Sequence, residues 1–99
     1  MKIYKYVLEI TDRQVIEIGK QYATPLSVGE QNGKLVMWAV VEDDFAKRGL
    51  IGNDNYEIVV DIIGTGRNCE TNKRFLGTVV MSYGLVWHVF AECEKGGEV

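Results

Sequence analysis

The apolar residues of this chain come in short bursts rich in Val, Ile and aromatics, each cut off by Gly, Asn or Asp. Such bursts suit half-buried strands and leave little room for long helices. The sharpest local signal is Asn32-Gly33, set between LSVGEQ and KLVMWAVV, because this dipeptide accepts positive φ at both central positions of a type I′ hairpin. A two-residue loop there pairs Gln31 with Lys34 and Val28 with Met37. It places Leu26, Val28, Leu35, Met37 and Ala39 on one face, the expected core side, and Val36, Trp38 and Val40 on the other with Ser27 and Gly29. Both faces of the second strand are apolar, so the Trp38 face is expected to meet another sheet or another subunit.

Around this hairpin the same periodicity places a strand from Ile3 to Ile10, with Tyr4, Tyr6, Leu8 and Ile10 on one face and Lys5 and Glu9 on the other. A turn at Thr11-Asp12-Arg13, a short strand from Val15 to Ile18 and a strand from Tyr56 to Ile63 follow. Arg74 to Ser82 and Leu85 to Glu92 form a closing hairpin around Tyr83-Gly84. A two-residue loop there sets Val79 opposite His88 and Met81 opposite Val86, with Trp87 and Val89 pointing the other way. Asp43-Asp44-Phe45-Ala46-Lys47-Arg48-Gly49 reads as one helical turn, its acidic start, basic end and glycine stop complementing the peptide dipoles. The sum is an all-β or β-rich antiparallel sandwich or small barrel of about seven short strands with at most one short helix. Residues 1–93 form a single domain, and 94–99 are expected to be a flexible tail.

The 99 residues hide only roughly two-thirds of their extended-chain surface, which leaves oligomerisation attractive as further burial. With 46% apolar and 25% charged residues the chain is not a disordered one. A net charge of −3 argues against non-specific binding of duplex nucleic acid, which needs clustered Lys and Arg. Nor is the longest acidic run, Glu42-Asp43-Asp44, dense enough to mimic DNA. Cys69 and Cys93 are too few for a disulfide scaffold and read as reduced thiols or as a single bridge. No run approaches the ~18 apolar residues of a membrane span, and MKIYKYVLEI lacks an uninterrupted signal-peptide core. A cytoplasmic protein without membrane contact is expected.

Reactive chemistry is sparse. His88 is the single histidine, with no orienting carboxylate near it in sequence, and between Val86 and Phe90 it reads as a satisfied core residue. One histidine and two cysteines without CxxC or HxxxH spacing give no zinc set. Asp61, inside VVDII, reads as an edge charge or a solvent-facing strand position. The thiols lack the neighbouring base that lowers a cysteine pKa. In Gly64-Thr65-Gly66-Arg67-Asn68, convergent amides, a hydroxyl and a guanidinium fork suit an anion. Yet the stretch is neither GxGxxG nor GxxxxGK[ST], and on its residues alone it reads as a plain turn.

The opening IYKYVLEITDRQVIEI, the segment VGEQNGKLVMWAVV, the strand and loop IVVDIIGTG and the ending RFLGTVVMSYGLVWHVFAE together resemble a family of small tailed-phage proteins, from Lys2 to Glu92. Members often carry GTGHP where this chain has Gly64 to Asn68, and a longer loop between the last strands. The resemblance implies an accessory protein in the cytoplasm of the infected bacterial host. It is similar to the oligomeric viral sponges of the anti-CBASS type, which hold cyclic nucleotide immune signals without cleaving them. A non-enzymatic homo-oligomer, dimer or tetramer, then binds a cyclic di- or oligonucleotide and needs no cofactor or metal. Thr65, Gly66 and Arg67 are expected to hold phosphate, Trp38 to stack a base and Arg74 to serve as a reserve cation. Two alternatives stand beside it: an anti-CRISPR-like inhibitor that binds a host defence complex through an acidic surface and Trp38, and a small virion component.

Overall fold

The computed structural model describes residues 1–42 and 54–96. Among them it has seven strands: β1 (Lys2–Val7), β2 (Arg13–Gly19), β3 (Tyr22–Gln31), β4 (Lys34–Glu42), β5 (Tyr56–Gly64), β6 (Arg74–Val80) and β7 (Val86–Lys95). They form two antiparallel sheets, ordered β1-β4-β3 and β2-β5-β7-β6. The sheets face one another as a sandwich, so the barrel alternative does not apply. The helical turn expected at Asp43 to Gly49 lies outside the described residues.

The β3–β4 hairpin takes the register that Asn32-Gly33 dictates. Asn32 (φ 55°) and Gly33 (φ 77°) are both left-handed, Gln31 faces Lys34 and Val28 faces Met37. Leu35, Met37, Ala39 and Val41 therefore point inward. They join Ile58, Val60 and Ile62 of β5 and Val89, Ala91 and Cys93 of β7 in one core. Val36, Trp38 and Val40 point away, and the Trp38 ring lies over Gly29, where a Cβ would stand 3.3 Å from it. The four-stranded sheet packs on the opposite, core side, so it is not the sheet that the Trp38 face was expected to meet.

Leu26 departs from its expected core position. The ladder shifts register between Pro25 and Ser27, and the extra residue of a bulge reverses the in–out alternation beyond it. Ala23 and Pro25 take the inward sites, while Leu26 is left 44% exposed. Proline, with no N–H to give the ladder, is a natural place for that break. On β1 the expected face is also only partly buried: Leu8 is buried and Tyr6 half-buried, but Tyr4 and Ile10 are exposed.

The closing hairpin departs more consequentially. Met81 and Leu85 are joined by an N–H···O bond of 2.8 Å, and the Gly84 N–H donates to the Met81 carbonyl at 2.9 Å. With Gly84 left-handed (φ 98°), the loop is the three residues Ser82-Tyr83-Gly84, a tight turn closed by a left-handed glycine. One residue more than the expected loop moves every partner by one. Val79 faces Trp87 and Thr78 faces His88. Trp87 thereby turns inward against the core, and His88 turns outward. Ser82 clips this turn to β3 by donating its N–H (2.9 Å) and hydroxyl (2.7 Å) to Glu30. β7 also runs through Lys95, paired with Tyr56, so Glu94 and Lys95 belong to the sheet rather than to a tail.

The two leucine-like positions of the β3–β4 hairpin are expected to behave differently. Met37→Ala lowers unfolding free energy in urea by about 2–5 kcal/mol. Leu26→Ala changes it by less than about 1 kcal/mol, because its side chain is already half in water.

Candidate functional site

The site is built on the outer face of the four-stranded sheet, where a carboxylate organises the loop between β5 and β6. Asp61 faces away from the core and yet is only 4% exposed. Arg13, directly opposite on β2, donates to it bidentately, Nε–H to Oδ1 at 2.6 Å and Nη2–H to Oδ2 at 3.0 Å. From the loop, the Thr71 hydroxyl donates to Oδ2 at 2.6 Å and accepts the Lys73 N–H at 3.1 Å. Lys73 in turn pairs with Glu94 on β7. The Arg13 hydrogen bond, against the opposing effect of burial, holds the Asp61 carboxyl below the usual carboxylate range, helped by Thr71 and by the charges of Arg13 and Lys73. Asp61 is thus neither an edge charge nor solvent-facing: β5 lies between β2 and β7, and Thr71 covers the carboxylate.

Gly64 to Arg67 turns the chain out of β5. The Arg67 N–H donates to the Gly64 carbonyl at 3.1 Å, and Gly66 (φ 89°) supplies the left-handed third position that a type II turn requires. The turn presents Thr65 to the imidazole of His88. Thr65 Oγ1 lies 2.8 Å from Nε2, and Thr78 Oγ1 lies 2.8 Å from Nδ1. Both ring nitrogens are engaged, so His88 is satisfied, but on the sheet surface and not in the core as expected. The three-residue β6–β7 loop is the cause, because it makes Thr78 its direct neighbour across the ladder.

Beside this chain of hydroxyls and imidazole lies a concavity of about 250 Å³, lined by Thr65, Gly66, Arg67, Phe75, His88 and Phe90 among others, none of them acidic. Phe75 and Phe90 pack with ring centroids 5.2 Å apart, and Phe75 remains 52% exposed. Among the described residues no side chain pairs with the Arg67 guanidinium. A larger cleft of about 660 Å³ opens on the other side of the same turn, between the β1–β2 connection and the start of the β5–β6 loop. Its lining includes Asp12, Glu70, Trp87 and the Arg13–Asp61 pair, and it shares Ile63, Gly64 and Arg67 with the smaller one. Gly64 admits the Trp87 ring, which would lie 3.4 Å from a Cβ there.

Residues 1–98 match the model of a family described as a domain of unknown function, DUF7352. The chain belongs to that family. No curated protein and no solved structure matches it.

In this family member, Thr65, Gly66 and Arg67 stand together, as their adjacency requires. Trp38 and Arg74 do not join them within one chain. Trp38 sits on the outer face of the three-stranded sheet, and Arg74 donates through Nη2 to the Pro25 carbonyl, linking the sheets. Neither lines either cleft. His88, Phe75 and Phe90 are the residues that strand periodicity did not assign to the site; the three-residue turn at Gly84 is the signal that would have turned His88 outward. Cys69 lines the smaller concavity, whereas Cys93 is buried in β7, and no disulfide joins them.

Because the folded-state pKa of Asp61 is depressed, its contribution to stability is present above its unfolded-state pKa of about 3.9 and is lost as pH falls through the lower folded value. Thermal melts across a pH series are therefore expected to show acid destabilisation below about pH 4 that is smaller in Asp61→Asn.

Proposed function

We propose that this protein is a phage accessory protein that holds a cyclic di- or oligonucleotide immune signal and does not cleave it, working as a homo-oligomer in the cytoplasm of the infected host. The observation that carries this reading is the Arg67 guanidinium, without a described partner, beside a hydroxyl, an imidazole and an exposed phenyl ring in a concavity free of carboxylates. A planar fork of donors matches a phosphate. Phe75 supplies a face for a base, worth about 1–3 kcal/mol when stacked. It takes, within one chain, the stacking part expected of Trp38, which reaches such a ligand only from a second copy.

The hydroxyl chain has a polarity that suits an anion. When the Thr78 hydroxyl donates to Nδ1 and Nε2–H donates to Thr65 Oγ1, the Thr65 hydroxyl keeps its proton for the ligand. Binding thus selects one tautomer of His88. The ring is a positioning group here, with no proton to transfer in a storage function.

A second reading, an inhibitor that binds a host defence complex, is favoured by the other sheet. There Ile3 (64% exposed) and Val7 (54%) flank Trp38 on a largely apolar face. A stoichiometric protein co-purifying from host lysate favours that reading; a nucleotide released on denaturation, intact by mass, favours storage.

Calorimetric titration against a panel of cyclic nucleotides is expected to give binding that Arg67→Ala weakens by about 10–150-fold, the equivalent of about 1.5–3 kcal/mol for a charged hydrogen bond. No heat and no thermal shift with any member of the panel would retire the proposal.

A further inference from the structure

A sandwich of two open sheets has edge strands, here β1 and β3 on one sheet and β2 and β6 on the other. An exposed edge is a template for a further strand, and chains guard it with charge, proline or irregularity. β1 carries Lys2 and Lys5, β2 carries Arg13 and Glu17, and β3 carries Glu30 together with the break at Pro25. β6 has one charge, at its first residue, and the Arg74 guanidinium is drawn back to the Pro25 carbonyl. Its register shift lies between Phe75 and Gly77, which leaves Gly77 to Val80 as an uncharged edge of regular strand. Val80 there is 67% exposed, and Phe75, Tyr83 and Leu85, each about half exposed, continue the apolar strip.

We infer that two copies of this chain pair antiparallel along β6, about a twofold axis near Thr78, and so join their four-stranded sheets into one. This names the contact between copies that the storage reading leaves open, and it holds whatever the ligand.

Backbone geometry identifies the groups that the second copy takes. The Met81 N–H donates to the Leu85 carbonyl at 2.8 Å and the Met81 carbonyl accepts the Gly84 N–H at 2.9 Å, so Met81 turns its polar groups toward β7. In an antiparallel ladder those groups alternate in direction from residue to residue. Val80 and Thr78 therefore aim N–H and C=O away from β7, where among the described residues no strand lies. The strand is also held ready for pairing, because Arg74 is tied to the Pro25 carbonyl at one end and Ser82 to Glu30 at the other. Preorganised partners lose less on binding. Charge fixes the direction: an antiparallel pair centred near Thr78 sets the Ser82–Glu30 corner of one copy beside Arg74 of the other, whereas a parallel pair sets like charges together. It also brings Val80 of one copy alongside Phe75 of the other on the outer sheet face, which lengthens the apolar wall of the concavity that Phe75 lines.

Sedimentation equilibrium of the whole chain is expected to show a reversible monomer–dimer equilibrium. Val80→Lys guards the edge with a charge, and Val80→Pro deletes an N–H that β7 does not use. Each weakens dimerisation at least about tenfold while the melting temperature of the dilute monomer stays close to wild type. Val15→Lys, at an apolar position 51% exposed on the β2 edge, leaves the dimer intact. In hydrogen exchange the Thr78 and Val80 amides are protected at dimer concentrations and lose that protection on dilution. A chain that stays monomeric, or a dimer that survives both Val80 variants, overturns the inference. A dimer dissolved by Ile3→Lys instead places the contact on the Trp38 face and overturns it equally. Calorimetry against cyclic nucleotides reads the ligand separately, so nucleotide binding by a monomer sinks the β6 contact and leaves the holding of a nucleotide standing.

Discussion

A carboxylate kept from water on the outside of a sheet holds this site in place. An ionised group that is 4% exposed is stable only when its lone pairs are filled. Asp61 fills them with Arg13 from the neighbouring strand and Thr71 from a loop that has no regular structure of its own. The β5–β6 loop is thereby tied at two points, where the Gly64–Arg67 bond closes its first turn and where Thr71 reaches Asp61. Arg67 is itself the donor of the first tie, and the loop runs from it to the second. The groups proposed to touch a ligand are thus carried on a segment whose position is set by an ion pair they do not belong to.

Much of the fold was legible because its strongest cues are local. Asn32-Gly33 carries its backbone preference in two side chains, and the register of β3 and β4 follows without knowledge of the rest. The failures share a different cause. At Pro25 the choice between a regular ladder and a bulge depends on what the inward residue packs against, and no neighbour in sequence reveals that. At Tyr83-Gly84 a glycine serves either a two-residue or a three-residue loop, and the dipeptide does not distinguish them. Yet strand alternation has period two, so this single residue decides whether His88 or Trp87 enters the core.

The site divides along the same line. Thr65, Gly66 and Arg67 were legible as a unit because a turn is a local object whose donors are contiguous. His88 lies 23 residues from Thr65 and 10 from Thr78, and only correct cross-strand pairing joins the three. Phe75 and Phe90 meet by the same pairing. Trp38 drew attention through the apolar face it shares. That face is real, but strand alternation in β4 directs it away from the loop that carries the anion donors, and Arg74 is occupied by the Pro25 carbonyl.

Charge counting bears on how copies would assemble on the proposed reading. Among the described residues one guanidinium is left to answer one phosphate, since Arg13 is committed to Asp61 and Arg74 is turned between the sheets. A ligand with two phosphates therefore outruns the described arginines of one chain, and it also outruns the small concavity, whose volume of about 250 Å³ falls short of the roughly 300–1,000 Å³ of typical small-molecule sites. A twofold axis remedies both, since an isologous contact repeats Arg67 at the second phosphate. β6 is the edge of its sheet, and Phe75 and Val80 on it are 52% and 67% exposed. An unpaired edge with apolar side chains is a template for another strand. It lies beside the concavity that Phe75 lines, whereas the Trp38 face lies across the sandwich from it. Pairing of two copies along β6 would bring two half-sites together, which makes that edge, more than the indole surface, the place where a symmetric ligand is completed.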